Sequence, residues 1–316
     1  MTKIFAFLRL VRFVNLLIIA MAMFFFQYFL IAPILSFVNE SPSLSPLYFS
    51  LLVLATVAIA AAGNVLNDYY DFEADSQYKP ERVVLWKYFS LDTAIYIVGI
   101  LNVLGIGLGF YVSWHIGYIK QGNIFLLAAV LLGVYSMVLK KYPLIGNIVI
   151  AMLSGFVFCI VVYFEHKFLM DIIDVKLYDK SMQIYTQMLG YFAFAFWVSL
   201  MREIIKDAED KEGDAANGIS TLGTLLPTWA LNAIVFVMLL ILMGGVGYLQ
   251  SIYWQTNNKN YFYYALFFLQ FPMLLQLLGL LHTSTQKDYH NYSVQLKLLM
   301  FFGIATLPVF YFFTLH

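Results

Sequence analysis

The sequence is poor in charged residues, which make up only 11% of its 316 positions. A soluble domain carries about 25% charged residues, so this scarcity, together with 62% hydrophobic residues, indicates a protein embedded in lipid. The net charge of zero gives no reason to expect nucleic acid as a partner. The single cysteine, Cys159, excludes an internal disulfide and is interpreted as a small buried apolar side chain.

Nine apolar runs are each long enough to cross the hydrocarbon core, which takes about 20 residues in a helix. None alternates strictly like a barrel strand, so helices are the expected way to satisfy backbone hydrogen bonds in lipid. No run outside them is long enough for a soluble domain, and the first run is too long for a signal peptide. We therefore predict an all-α polytopic membrane protein with one transmembrane domain over residues 1–316. The predicted spans are 13–38, 47–66, 91–113, 123–139, 145–165, 185–204, 227–250, 261–282 and 295–314.

The distribution of positive charge predicts the orientation in the membrane. With the N-terminus in the cytoplasm, all but five of the 18 Lys and Arg residues fall on cytoplasmic segments, as is typical of membrane proteins. The five on the opposite side are Lys120, Lys167, Lys176, Lys180 and Lys259. We therefore predict an inner or plasma membrane protein with a cytoplasmic N-terminus, cytoplasmic active-site loops and an external C-terminus.

Most of the acidic residues are concentrated in two short stretches at the predicted cytoplasmic ends of the second and sixth spans. We call residues 64–75 the first acidic segment and residues 203–214 the second acidic segment. On a helix, residues three or four apart share one face, so each segment should present a row of oxygen-bearing side chains. The two rows are Asn67, Asp71 and Asp75, and Asp207, Asp210 and Asp214.

Rows of carboxylates repel one another unless a cation lies between them. Few His or Cys residues are nearby, so both rows suit a hard cation, Mg²⁺, with Mn²⁺ as a second candidate. Because Mg²⁺ usually bridges carboxylates to substrate phosphates, the rows predict a site that holds a diphosphate through metal ions. The alternative for either segment alone is a solvated helix end, but two such segments at membrane depth favour function.

Basic residues accompany the acidic segments and are expected to bind a departing diphosphate. Lys141, at the end of the fourth span, is a catalytic candidate, whereas the neighbouring Lys140 is interpreted as a residue that only orients the protein. The predicted diphosphate contacts are Asn64, Lys79, Arg82, Arg202 and Lys206.

Residues 67–82 and 206–222 resemble the two aspartate-rich motifs of the UbiA-type intramembrane prenyltransferase superfamily. Residues 135–147 resemble the junction of its fourth and fifth spans, and residues 12–15 resemble its first-span motif. The resemblance implies nine helices around a central cavity open sideways to lipid. It also implies a prenyltransferase domain that uses Mg²⁺, a prenyl diphosphate donor and a hydrophobic or amphipathic acceptor in the membrane lipid.

The second motif looks most like the branch that includes geranylgeranylglyceryl-phosphate geranylgeranyltransferases and homogentisate prenyltransferases. An ether-lipid or quinone-type acceptor is therefore expected. An alcohol acceptor needs a base, for which Asp68 is the candidate, and the face of Tyr135 is a candidate for stabilising an allylic cation.

The alternative from another class is a secondary transporter for an anionic or metal-coupled substrate. Transporters bury acidic groups near broken helices but place them close to the midplane of the membrane. Here the acidic segments lie at the ends of spans, which favours an enzyme.

Overall fold

A computed structural model describes residues 2–78, 80–81, 83–165, 175–256 and 258–315. Across these residues the regular structure is helical, apart from one isolated bridge that pairs Leu85 with Phe89. The all-α prediction is therefore confirmed.

Nine helices of the described chain are long and apolar enough to cross a membrane, which confirms the predicted number and order. We call them span 1 to span 9. Their bounds are Phe13–Ser36, Pro46–Tyr78, Leu91–His115, Ile119–Met137, Ile145–Phe164, Asp179–Ala216, Thr228–Gln255, Lys259–Leu280 and Gln286–Phe313.

Spans 2, 6 and 9 extend furthest beyond their predicted apolar runs. Spans 2 and 6 continue as helix through the acidic segments, as the spacing of the acidic side chains predicts. Span 9 begins at Gln286 instead of residue 295, because Thr285 and Asp288 form a capping box that satisfies the first backbone N–H groups of the helix. Hydropathy marks the part of a helix that lies in lipid and does not mark where the helix ends.

Among the described residues, two short α-helices and the 3₁₀ turn Leu139–Lys141 lie outside the spans. The helix Lys3–Leu10 precedes span 1. The helical conformation is interrupted between them at Arg12, whose φ of 56° lies in the left-handed region. We call this interruption the break before span 1. The helix Leu222–Leu225 lies between spans 6 and 7.

Wide π-type turns interrupt three of the spans. They occupy Gln27–Ile31 in span 1, Leu266–Gln270 in span 8 and Tyr311–Leu315 at the end of span 9. A π turn holds one more residue than an α turn, so the helix face changes its register at each of these places.

The chain contacts define two compact units, and each acidic segment belongs to a different one. Unit 1, with the first acidic segment, comprises Met1–Phe24, Pro42–Lys140 and Ile160–Asp171. Unit 2, with the second acidic segment, comprises Phe25–Ser41, Lys141–Cys159 and Ile172–His316. A single domain over residues 1–316 stays a prediction.

Within unit 1, small residues let the helices approach span 2 closely. A Cβ on Gly63 would lie 2.9 Å from the side chain of Leu132 in span 4. A Cβ on Gly105 of span 3 would lie 2.7 Å from the side chain of Ile59. Close packing of this kind is the usual way in which helices associate in lipid. It fixes span 2, and with it the first acidic segment, against its neighbours.

Within unit 2, span 6 packs against spans 7 and 9 through buried side chains that include Val198, Ile205 and Leu296. The first turn of span 9 also holds the acidic end of span 6. Gln286 Nε2 donates to the carbonyl oxygen of Glu209 at 3.1 Å, and His290 Nδ1 lies 3.2 Å from the Glu209 carboxylate. The second acidic segment is therefore anchored on both its apolar and its polar faces.

Candidate active site

The first acidic segment presents its polar side chains in the register that the sequence predicts. Asn67 Nδ2 donates to Asp71 Oδ2 at 2.8 Å, across one helical turn. Asp75, one turn further on, lies in the same helix and is half-buried. The row of Asn67, Asp71 and Asp75 thus follows one face of span 2.

Two cations from other elements of unit 1 reach this segment. Arg12 Nη2 donates to Asp68 Oδ1 at 2.8 Å. Lys140 Nζ binds Asp71 Oδ1, and the same ammonium lies 5.9 Å from the centre of the Tyr70 ring. The first acidic segment is therefore a mixed cluster in which a guanidinium and an ammonium balance carboxylate charge.

Sequence analysis interpreted Lys140 as an orienting residue and favoured Lys141 instead. In the structure Lys140 is half-buried at the Asp71 carboxylate, whereas the side chain of Lys141 is exposed. The 3₁₀ turn Leu139–Lys141 follows span 4, and adjacent residues in such a turn point in different directions. Which of two neighbouring lysines faces the carboxylates depends on this turn, and no signal in the sequence could have distinguished them.

Arg12 is a second functional candidate to which sequence analysis gave no role. The available signal was the resemblance of residues 12–15 to a family motif. Asn64 donates from Nδ2 to the carbonyl oxygen of Val11 at 3.0 Å, and its contact with a diphosphate stays a prediction. Tyr135 is half-buried in span 4, and the predicted contacts Lys79 and Arg82 lie outside the described residues.

Neutral groups donate to two aspartates of the second acidic segment, Asp207 and Asp214. Asn147 Nδ2, at the start of span 5, donates to Asp207 Oδ2 at 2.8 Å. The hydroxyl of Thr221 donates to Asp214 Oδ2 at 3.0 Å. Asp210, three residues after Asp207 on the same helix, is half-buried. Sequence analysis quoted Asn147 only as part of a motif and did not predict its contact.

The turn that follows span 6 folds back onto this segment. Gly218 adopts a φ of 67°, which ends the helix, and Thr221 and Thr224 form a capping box for the short helix Leu222–Leu225. A Cβ on Gly223 would lie only 1.9 Å from the backbone oxygen of Asp207. Only glycine allows the turn to approach Asp207 this closely.

The two cations predicted for the second acidic segment bind a carboxylate on their own helix. Arg202 Nη1 lies 3.1 Å and Lys206 Nζ 2.6 Å from Oε1 of Glu203, which is buried. A buried carboxylate needs such partners, because an uncompensated charge inside a protein is costly. Their contact with a diphosphate stays a prediction.

The side chains of both acidic segments suit Mg²⁺ only together with further ligands. In the part of the chain that the structure describes, no three Asp, Glu, His or Cys side chains form a group that could hold a metal ion. Mg²⁺ is usually bound through one or two carboxylates, with water and substrate phosphates completing its octahedron. The oxygen-only donors therefore fit that ion when a diphosphate supplies the remaining ligands. That both segments share one diphosphate stays a prediction.

Comparison with known proteins gives a consistent result. The model of the UbiA prenyltransferase family matches residues 28–305. A digeranylgeranylglyceryl phosphate synthase of Methanobrevibacter smithii is 31% identical over 249 residues, which cover 78% of this chain and 81% of that protein. The synthase of the same name from Sulfolobus acidocaldarius is 28% identical over 278 residues, which cover 84% and 85%. A solved structure, from work on digeranylgeranylglyceryl phosphate synthase in membranes, matches 98% of each chain with a TM-score of 0.58 and 22% identity, which supports the fold.

Proposed function

This chain belongs to the UbiA prenyltransferase family, and from that premise we propose that it transfers a geranylgeranyl group to geranylgeranylglyceryl phosphate. It is an integral membrane prenyltransferase, which implies a prenyl diphosphate donor and a lipid-type acceptor. The observation that carries the finer proposal is the alignment, over most of both chains, with two archaeal synthases of digeranylgeranylglyceryl phosphate. An aromatic quinone precursor is the second acceptor to be tested.

The reaction joins the first carbon of the prenyl chain to an oxygen of the acceptor. The bond between that carbon and the diphosphate oxygen breaks, and the diphosphate leaves with the electron pair. The acceptor hydroxyl forms an ether bond to the carbon and loses its proton. Arg12 and Lys140, which already lie at carboxylates of the first acidic segment, are proposed to attract the diphosphate and stabilise its growing charge.

Members of the family generally need a divalent metal, and we propose that Mg²⁺ serves here, with Mn²⁺ as a substitute. When bound, the ion neutralises charge on the leaving diphosphate. The side chains proposed to hold it are Asn67, Asp71, Asp75, Asp207, Asp210 and Asp214.

Asp68 is proposed as the base that accepts the proton of the acceptor hydroxyl. Arg12 binds its Oδ1 and thereby fixes the orientation of the carboxylate. Asp68→Asn keeps the shape of the side chain and removes the basic oxygen, so kcat should fall by about a hundredfold, as for the loss of a general base. Turnover and thermal unfolding are measured together, and full turnover by a folded Asp68→Asn protein would refute the assignment.

The protein is further proposed to lie in the inner or plasma membrane with its N-terminus and both acidic segments on the cytoplasmic side. Thirteen of its 18 basic residues support this orientation under the positive-inside rule. The orientation is tested with two variants that each carry a single cysteine, at residue 3 or at residue 258, in a Cys159→Ala background. Each variant is labelled with a membrane-impermeant thiol reagent. Only the second should react in intact cells.

The decisive experiment supplies purified protein with radiolabelled geranylgeranyl diphosphate and Mg²⁺. Separate reactions contain geranylgeranylglyceryl phosphate or homogentisate, each with and without a chelator. We expect a chelator-sensitive digeranylgeranyl product with the glyceryl phosphate only. A product with homogentisate alone would replace the proposed acceptor, and activity that survives complete chelation would refute the role of the metal.

A further inference from the structure

We propose that Asn64 is a positioning residue, which holds the break before span 1 so that Arg12 directs its guanidinium to Asp68 and to an arriving diphosphate. This role rests on the proposed function, because the diphosphate is the ligand that Arg12 would meet. It also replaces the expectation that Asn64 touches the diphosphate itself.

The backbone at the break departs from a continuous helix at Val11 and Arg12. In a continuous helix the N–H of Asn15 would donate to the carbonyl oxygen of Val11, four residues earlier. Here that N–H donates to the carbonyl oxygen of Arg12 at 2.8 Å, and Arg12 has a φ of 56°. A non-glycine residue in the left-handed region is strained, so neighbouring contacts must hold it there.

Asn64 supplies the contact that replaces the missing helical bond. Its Nδ2 donates to the carbonyl oxygen of Val11 at 3.0 Å, and Val11 is buried. A buried carbonyl that loses its donor is unfavourable, so this bond stabilises the broken conformation. In its absence the carbonyl would gain a donor if Arg12 returned to the right-handed region and the helix became continuous.

Asp68 holds the side chain of Arg12. Asn64 and Asp68 are four residues apart and therefore lie on one face of span 2. Asn64 thus binds the backbone of the break, and Asp68 binds the guanidinium that the break projects. Straightening of the helix would change the direction in which the Arg12 side chain leaves the backbone, and the ion pair with Asp68 would be lost. Asn64 therefore acts on the diphosphate through Arg12.

A double-mutant cycle tests this dependence. Asn64→Ala, Arg12→Ala and the double variant are titrated with inorganic diphosphate in the presence of Mg²⁺ by calorimetry, in detergent. We expect each single change to raise Kd by about tenfold, as for the loss of a charged hydrogen bond. The double variant should bind within about twofold of the weaker single variant, because both changes remove the same interaction. A purely structural role for Asn64 would not produce this non-additivity.

Gln250→Ala is the matched control in unit 2. Gln250 Nε2 donates to the carbonyl oxygen of Phe262 at 3.1 Å, so the change removes the same kind of bond, between spans 7 and 8 and away from the acidic segments. It should lower the unfolding temperature and leave the diphosphate Kd unchanged. If Asn64→Ala does not fold, the cycle is run with Asn64→Asp, which has the same shape but cannot donate.

Several results would overturn the proposal. Additive effects, with a double variant weakened about a hundredfold, would show that Asn64 contacts the diphosphate directly. A folded Asn64→Ala protein with the Kd of the wild type would show that Asn64 has no role in binding. If the wild type itself binds no diphosphate, the proposed function fails and this role fails with it. Wild-type binding with an additive cycle refutes only the role of Asn64.

Discussion

Asp68 and Asp71 of the first acidic segment and Asp207 of the second segment are held by different kinds of partner. In the first, Asp68 and Asp71 bind the charged groups of Arg12 and Lys140. In the second, Asp207 accepts from the amide of Asn147, and Asp214 accepts from the hydroxyl of Thr221. Asn147 is neutral, so it does not compete with a metal ion for the Asp207 carboxylate as a cation would.

This difference suggests a division of labour between the segments. A carboxylate with a cation beside it is a poorer metal ligand, but the cation itself attracts a diphosphate. A carboxylate oriented by a neutral donor has no cation beside it that competes with a divalent ion. We therefore expect diphosphate affinity to depend mainly on the cations of the first segment and metal affinity mainly on the second.

The largest fall in activity is expected from two single variants, each of which removes one carboxylate from one of the two segments. Asp71→Ala and Asp210→Ala should each lower kcat by at least about a hundredfold, because each removes a proposed metal ligand and no core packing. Product formation and circular dichroism report activity and fold. Asp179→Ala, an exposed acid outside both segments, is the control. High activity in both variants would remove the basis for the metal site.

Gly223→Ala should have the next largest effect and should act on the second segment alone. The new Cβ would collide with the backbone of Asp207, so the turn must move and Asp207 loses its orientation. We expect kcat to fall by about tenfold or more.

The matched control is Gly244→Ala in span 7, where a Cβ meets nothing within 4 Å. That change should raise stability by about 0.5–1 kcal/mol, as alanine does in a helix. If thermal unfolding and kinetics show the same result for both variants, the fold-back turn has no part in positioning Asp207.

Lys140→Ala and Lys141→Ala compare two neighbours of equal charge. Loss of the ammonium at Asp71 should raise the KM of the prenyl diphosphate by about tenfold, which corresponds to one charged hydrogen bond. Loss of the exposed Lys141 side chain should raise this KM much less. Initial rates at varied donor concentration measure the difference, and the opposite order of the two effects would restore Lys141 as the functional lysine.

Asn147→Ala should have the smallest effect of these changes. It removes one neutral hydrogen bond to Asp207, worth about 1 kcal/mol, so the Mg²⁺ concentration for half-maximal activity should rise by about fivefold. The KM of the donor should stay constant. A larger change in donor KM than in metal requirement would contradict the division of labour between the segments.

The sequence alone was sufficient for the fold class and for the helical acidic segments. Hydropathy identified the nine spans, and the four-residue spacing placed Asn67 beside Asp71, because helical periodicity is a local property. The partners of these side chains were not predictable in the same way. Arg12 reaches Asp68 across 56 positions of sequence, and the carbonyl oxygen before its left-handed backbone accepts a bond from another helix.

The fold-back turn shows a further limit of sequence reasoning. Thr221 and Gly218 are recognisable as a helix cap and a helix end, but nothing in the sequence says what the turn packs against. The need for glycine at position 223 follows only from its contact with the backbone of Asp207, which the sequence does not reveal. Contacts of this kind depend on the path of the chain through tertiary structure, so local pattern predicts the turn and not its target.

The wide turns in spans 1 and 8 determine where these two spans can lose a residue without disturbing the rest of the helix. Each contains one residue more than a regular turn, and each is followed within two residues by a proline, Pro33 or Pro272. Deleting one residue within Gln27–Ile31 would convert the wide turn into an ordinary one and keep the flanking faces aligned. The same deletion elsewhere in the span would rotate every later side chain by about 100°. These turns are therefore sites at which a membrane helix can accept the deletion of one residue.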